Sequence, residues 1–165
     1  RQHHGAPSSK RECPNGSLQA VARIELASLR NRGCCKAIVA ANGIPAVVAA
    51  MQHHLTHSKL QLKAFLVLTF LECIGKEEWW QVILAANGIQ AALAAVSHHA
   101  SHAALHNLMF TFLAFLSFNN ESCCKAIVAA NGIPVLVAAM ERHASDAEFQ
   151  ENTCWVFANL ASYGQ

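Results

Sequence analysis

Residues 34–51, CCKAIVAANGIPAVVAAM, recur at 123–140 as CCKAIVAANGIPVLVAAM, with sixteen of eighteen positions identical. A diverged copy, WWQVILAANGIQAALAAV, lies between them at 79–96. The pairs Asn42-Gly43, Asn87-Gly88 and Asn131-Gly132 are therefore 45 and 44 residues apart. A constant period of this size means that each unit is one supersecondary element unable to bury its apolar face alone. Neighbouring copies must stack, so the chain should form a solenoid and not a bundle around one central core.

Within each unit the pattern reads as three helices. A short one covers Cys35–Ala41, Trp79–Ala86 and Cys124–Ala130 and stops at Asn-Gly, where glycine can supply a left-handed terminating residue. The second opens at Ile-Pro, with Pro45 and Pro134 near the first helical position, where a missing N–H is harmless. It runs to about His54, His99 and His143. Thr56, Ser101 and Ser145 are the expected N-caps of the third and longest helix, with Ser145 and Glu148 forming a capping box. That helix spans about Ser58–Ile74, His102–Phe118 and Asp146–Ser162. Its apolar stripe, Leu105, Met109, Phe112, Leu113 and Leu116, should face the core.

The expected organisation is a polar tail over 1–16, a partial repeat over 17–33, and repeats over 34–76, 77–120 and 121–165. Residues 17–165 would form one solenoid domain. With 53% apolar and 13% charged residues the chain has ample material for a continuous core. A net charge of +2 is too small for a nucleic-acid footprint. No apolar run reaches the roughly 18–20 residues of a membrane span. Seven cysteines, several inside helical patterns, suggest reduced, buried thiols in an intracellular compartment. The cytoplasm is expected ahead of an organelle such as the mitochondrion, although the basic N-terminal third suits organellar import. The first residue is Arg1 and not Met, as expected of a fragment or processed product.

A short helix, a glycine-punctuated turn and two longer helices in 42–45 residues resembles the armadillo repeat. HEAT repeats have two helices and lack the short one. The resemblance covers roughly residues 18–163 and rests on the ANGIP turns, the Leu/Val/Ala pattern after them, and CWVFANLA at 154–161. It implies an all-α, right-handed α-solenoid of about three full repeats plus a partial N-terminal one. It also implies that the third helices line a concave groove that binds other proteins, with no cofactor.

In peptide-binding members of that family a Trp, and an Asn four residues later, project into the groove, where the Asn amide pairs with the ligand backbone. Trp155 and Asn159 match this pair, with Asn152 one turn earlier. The equivalents elsewhere depart from it: Ile24 and Ser28, Leu66 and Phe70, Thr111 and Phe115. A single pair cannot make the ladder with which nuclear-import adaptors hold extended basic peptides. The expected partner-binding set is therefore Lys63, Leu66, Phe70, Leu108, Thr111, Phe115, Asn152, Trp155 and Asn159. It would suit a helical or extended apolar segment. A second reading stays open, in which neighbouring units of the same chain cover Phe70 and Phe115. The pattern also lacks polar capping repeats, which implies that more chain or another subunit covers the ends and makes an accessory subunit of a large complex an alternative function.

Histidines His53, His54 and His57 recur as His98, His99 and His102. Such spacing can offer imidazoles to a metal, which makes a metal-binding module the third alternative. Duplication alone explains the recurrence, and no carboxylate or cysteine joins the histidines at ligand spacing. The pairs Cys34-Cys35 and Cys123-Cys124 are replaced by Trp79-Trp80 in the middle copy, as expected of packing positions. No phosphate loop, nucleophile elbow or carboxylate pair is present, so an enzyme is not expected.

Overall fold

The structure, a computed structural model, describes residues 32–74 and 79–163. The expected tail, most of the partial repeat, and with it Ile24 and Ser28, lie outside the described residues. Among those described, every regular element is an α-helix and none is a strand. They run α1 (Arg32–Ala40), α2 (Gly43–His53), α3 (Ser58–Ile74), α4 (Trp79–Ala85), α5 (Gly88–His98), α6 (Ala103–Ser117), α7 (Glu121–Ala129), α8 (Gly132–Arg142) and α9 (Ala147–Ser162). The chain is an α-solenoid of three-helix units. α6 packs along its length between α3 and α9, while α5 packs between α2 and α8. The core is consequently a continuous band, fully covered where a unit has neighbours on both sides. Leu105, Met109, Phe112, Leu113 and Leu116 of α6 are all buried, as their spacing implies.

The Asn-Gly turn works differently from the expectation. No glycine among the described residues has a positive φ; Asn42, Asn87 and Asn131 take the left-handed conformation instead, each at φ 59°. Asparagine tolerates that region better than most non-glycine residues, and its side chain makes no cap hydrogen bond here. The glycine that follows is the first residue of the next helix, and it is needed for space. A Cβ on Gly132 would lie 2.7 Å from both the Cγ2 and the carbonyl oxygen of Ile127; one on Gly88 would lie 2.6 Å and 3.0 Å from the same atoms of Ile83. The chain turns sharply at this point, by 68° between α1 and α2, 65° between α4 and α5, and 78° between α7 and α8. Only a residue without a side chain lets the second helix start against the last turn of the first. Pro45 fits because the first i→i−4 bond of α2 is donated by the next residue, from Ala46 N to Asn42 O at 3.2 Å.

Substituting Gly132→Ala should therefore cost about 1–3 kcal/mol, because the obstructing oxygen belongs to the backbone and cannot swing away. Asn131→Gly should be near neutral. Thermal melts decide it, and an alanine variant as stable as the parent would refute the steric account.

The caps of the third helices also shift by one residue. Leu60 N donates to His57 Nδ1 at 3.2 Å, Leu105 N to His102 Nδ1 at 3.4 Å, and Phe149 N to an Asp146 carboxylate oxygen at 3.1 Å. Thr56, Ser101 and Ser145 thus stand just outside the cap position, and the expected Ser145–Glu148 capping box is replaced by the Asp146 cap. α7 begins earlier than its apolar pattern because Asn120 caps it, accepting from Cys123 N at 3.0 Å.

Candidate functional site

The third helices carry the residues singled out for partner binding. Aligned by the repeat, they form rows across α3, α6 and α9: Lys59, Ala104 and Glu148; Lys63, Leu108 and Asn152; Leu66, Thr111 and Trp155; Phe70, Phe115 and Asn159. Lys59, Lys63, Ala104 and Glu148 are exposed, and Leu66, Phe70, Leu108, Thr111 and Trp155 are half-buried. Thr111 turns its hydroxyl back to its own helix, donating to Asn107 O at 2.8 Å, so its polar atom is already occupied.

Three of the nine residues are interior. Phe115 is only 5% exposed because Trp155 of the next unit lies edge-on to it, with ring centroids 6.3 Å apart, and also covers Phe118 at 5.9 Å. Asn152 is buried as well. Asn159, instead of presenting its amide outward, donates from Nδ2 to Ala114 O at 3.2 Å and to Ser117 Oγ at 3.0 Å. These bonds tie the end of α6 to α9. The Trp155–Asn159 pair therefore binds the preceding unit, and the self-burial reading describes Phe115.

The histidines have local work too. Besides the caps made by His57 and His102, His99 Nε2 lies 2.7 Å from Leu55 O in the preceding unit, and the His98 ring meets the His99 ring edge-on at 5.0 Å. His53, His54 and His57 are exposed. Among the described residues, no three His, Cys, Asp or Glu side chains gather so that they could hold a metal ion.

A buried polar ladder escaped the sequence reading. Gln61 Nε2 donates to Met51 O at 2.8 Å and to His54 O at 3.0 Å; Gln150 Nε2 donates to Met140 O at 2.9 Å and to His143 O at 3.0 Å. Both satisfy orphan carbonyls at the end of a second helix. The equivalent residue of the middle unit is His106, with Nε2 3.3 Å from Val96 O. Its Nδ1 lies 2.9 Å from His143 Nε2 of the following unit. With Nε2–H of His106 donating to the carbonyl, its Nδ1 accepts from His143 Nε2, an arrangement that requires a neutral His106 ring. Burial holds the His106 pKa at about 4, below the ordinary 6.5. The charges of a protonated His143 and of Arg142 act in the same direction, and the Val96 and His99 carbonyls oppose them. The 45- and 44-residue spacing of Gln61, His106 and Gln150 was the available signal.

Burial likewise pushes up the thiols of Cys123, Cys124 and Cys35, which keeps them protonated and unreactive. Cys34 and Cys154, in contrast, are exposed, so the expectation of buried thiols holds for only part of the set.

Residues 119–162 match the armadillo/beta-catenin-like repeat family. That segment is the last three-helix unit, α7 to α9. Residues 34–51 of the first unit are nearly identical to residues 123–140 inside the matched segment. No curated protein is significantly similar to the chain. The crystal structure of an engineered protein from a structural genomics consortium is similar over 79% of this chain, with 26% identity and a TM-score of 0.66. The chain spans about half the length of that protein, 50% of which is covered. Armadillo-like repeats suggest a protein-interaction scaffold. Among the described residues, no single helix is long and apolar enough to cross a membrane.

Proposed function

We propose that this chain is a non-enzymatic adaptor that binds a partner protein across the face of its third helices. The observation that carries this reading is the half-buried apolar strip formed by Leu66 and Phe70 on α3, Leu108 on α6 and Trp155 on α9. Such side chains, offered side by side on parallel elements, match the i, i+3, i+4 and i+7 anchors of an amphipathic helix. Phe115, Asn152 and Asn159 lie beneath this strip and shape it without being contacts themselves. Exposed charges flank it unequally, with Lys59 and Lys63 at one end and Glu148 and Glu151 at the other. A segment with an acidic and a basic end would register on it in one direction.

The test is a comparison of proteins retained from the native source by the immobilised chain and by a Leu66→Asp/Phe70→Asp variant, identified by mass spectrometry. Loss of specific proteins at unchanged helical content supports the reading. Retention of the same set by the variant would reject the third-helix face as the binding surface.

A further inference from the structure

We propose that Asn42, Asn87 and Asn131 are deamidation sites that the stacked fold holds unreactive, so that the opening of a unit is recorded as isoaspartate and cannot then be reversed. Each is an asparagine followed by glycine, with its side chain exposed and uncapped. The chemistry is intramolecular. The backbone nitrogen of the glycine attacks Cγ of the asparagine and forms an N–Cγ bond. The Cγ–Nδ2 bond breaks, and the amide nitrogen leaves as ammonia with the proton displaced from the backbone nitrogen. Water then opens the cyclic imide, at the side-chain carbonyl to aspartate and at the backbone carbonyl to isoaspartate, in which the main chain runs through Cβ. Glycine, without a Cβ, leaves the attacking nitrogen unhindered.

The folded geometry forbids the first step. Asn42, Asn87 and Asn131 have φ 59° and ψ 32°, 36° and 34° respectively. At such ψ the glycine nitrogen and the asparagine Cβ stand on opposite sides of the Cα–C bond, so Cγ cannot close a ring onto it. Closure needs both on the same side, which means turning ψ through most of a half-circle. Hydrogen bonds on either side of the turn resist this. The Asn42 and Asn87 carbonyls, which would swing with ψ, accept from Ala46 N at 3.2 Å and Ala91 N at 3.1 Å. The three asparagine N–H groups donate to Val39 O, Leu84 O and Val128 O, each at 3.0 Å. A second helix must therefore leave its place before its asparagine can react. Isoaspartate then bars its return. The extra main-chain carbon lengthens a junction where Gly132 has no room even for a Cβ, which would lie 2.7 Å from Ile127 O. Aspartate, in contrast, tolerates the left-handed region and places its charge favourably at the N-terminus of the next helix.

Incubation of the whole chain at neutral pH, folded and in guanidinium chloride, followed by peptide mapping for aspartate and isoaspartate, tests this. Each asparagine should react at least about tenfold more slowly in the folded chain, since only the open fraction reacts. Phe149→Ala, which loosens the packing of α9 on α6, should speed the reaction at Asn131 several-fold and leave that at Asn42 unchanged. Asp146→Ala, which removes only the α9 cap, takes its place should that variant be unfolded. Protein carrying isoaspartate at position 131, isolated by chromatography, should have lost hydrogen-exchange protection in α8. Three results would each overturn the proposal: folded asparagines reacting as fast as unfolded ones, an equal rise at all three turns in the variant, or full α8 protection in the isoaspartate form.

Discussion

Acidification from pH 6.5 to 4 should remove about 3 kcal/mol of folding stability through one residue, His106. Its folded pKa is about 4 against an ordinary 6.5. The unfolded chain takes up a proton near pH 6.5, while the folded chain resists until about pH 4. Stability is therefore full above 6.5, falls by about 1.4 kcal/mol per pH unit below it, and levels off once both states are protonated. The equivalent residues Gln61 and Gln150 make the same bonds to helix-end carbonyls without a titrating group. H106Q should accordingly flatten this segment of the stability curve. At neutral pH it should cost no more than about 1 kcal/mol, the scale of one altered hydrogen bond. Urea titrations of both proteins at several pH values check the result. An equally steep decline in H106Q would assign the acid sensitivity elsewhere.

Phe149→Ala should be the most damaging single truncation of the stacking contacts. The ring is fully buried and lies 4.5 Å centroid to centroid from Phe110 in the preceding unit, edge-on. It also packs on His143 at 4.9 Å and approaches His106 at 6.2 Å. Removing a buried Phe costs about 3–5 kcal/mol, part from lost transfer free energy and part from the cavity left behind. For a chain of this size that lowers the melting temperature by roughly 10 °C. The loss should be uneven, since each unit depends on its neighbours: amides of α8 and α9 should lose hydrogen-exchange protection ahead of those of α2 and α3. A loss below about 1 kcal/mol would contradict the packing described at this site.

Much of the fold was legible because each unit repeats its evidence. The third helices begin and end within a residue or two of the expected positions, and the apolar period of Leu105 to Leu116 marks the buried face of α6. What the sequence left obscure was decided by neighbours 44 or 45 residues away. Phe115 looks like a groove residue on its own helix, yet Trp155 covers it. Asn159 matches a ligand-binding amide by motif, but the Ala114 carbonyl and the Ser117 hydroxyl claim that amide first. The Asn-Gly turn misled for a local reason: either residue can be left-handed, and only the position of the Ile127 carbonyl shows that glycine is required for space. The cap register was likewise ambiguous, because Ser145 and Asp146 are both good caps. The histidines suggested a shared site by their spacing, whereas His57 and His102 cap separate helices and His99 meets the Leu55 carbonyl.

The central claim is that neighbouring three-helix units stack in sequence order, and aromatic nuclear Overhauser effects test it most directly. The account predicts cross-peaks between the rings of Phe65 and Phe112, whose centroids are 6.1 Å apart, and between those of Phe110 and Phe149, at 4.5 Å. Absence of both in a folded helical protein, with contacts joining the first unit to the third in their place, would contradict it.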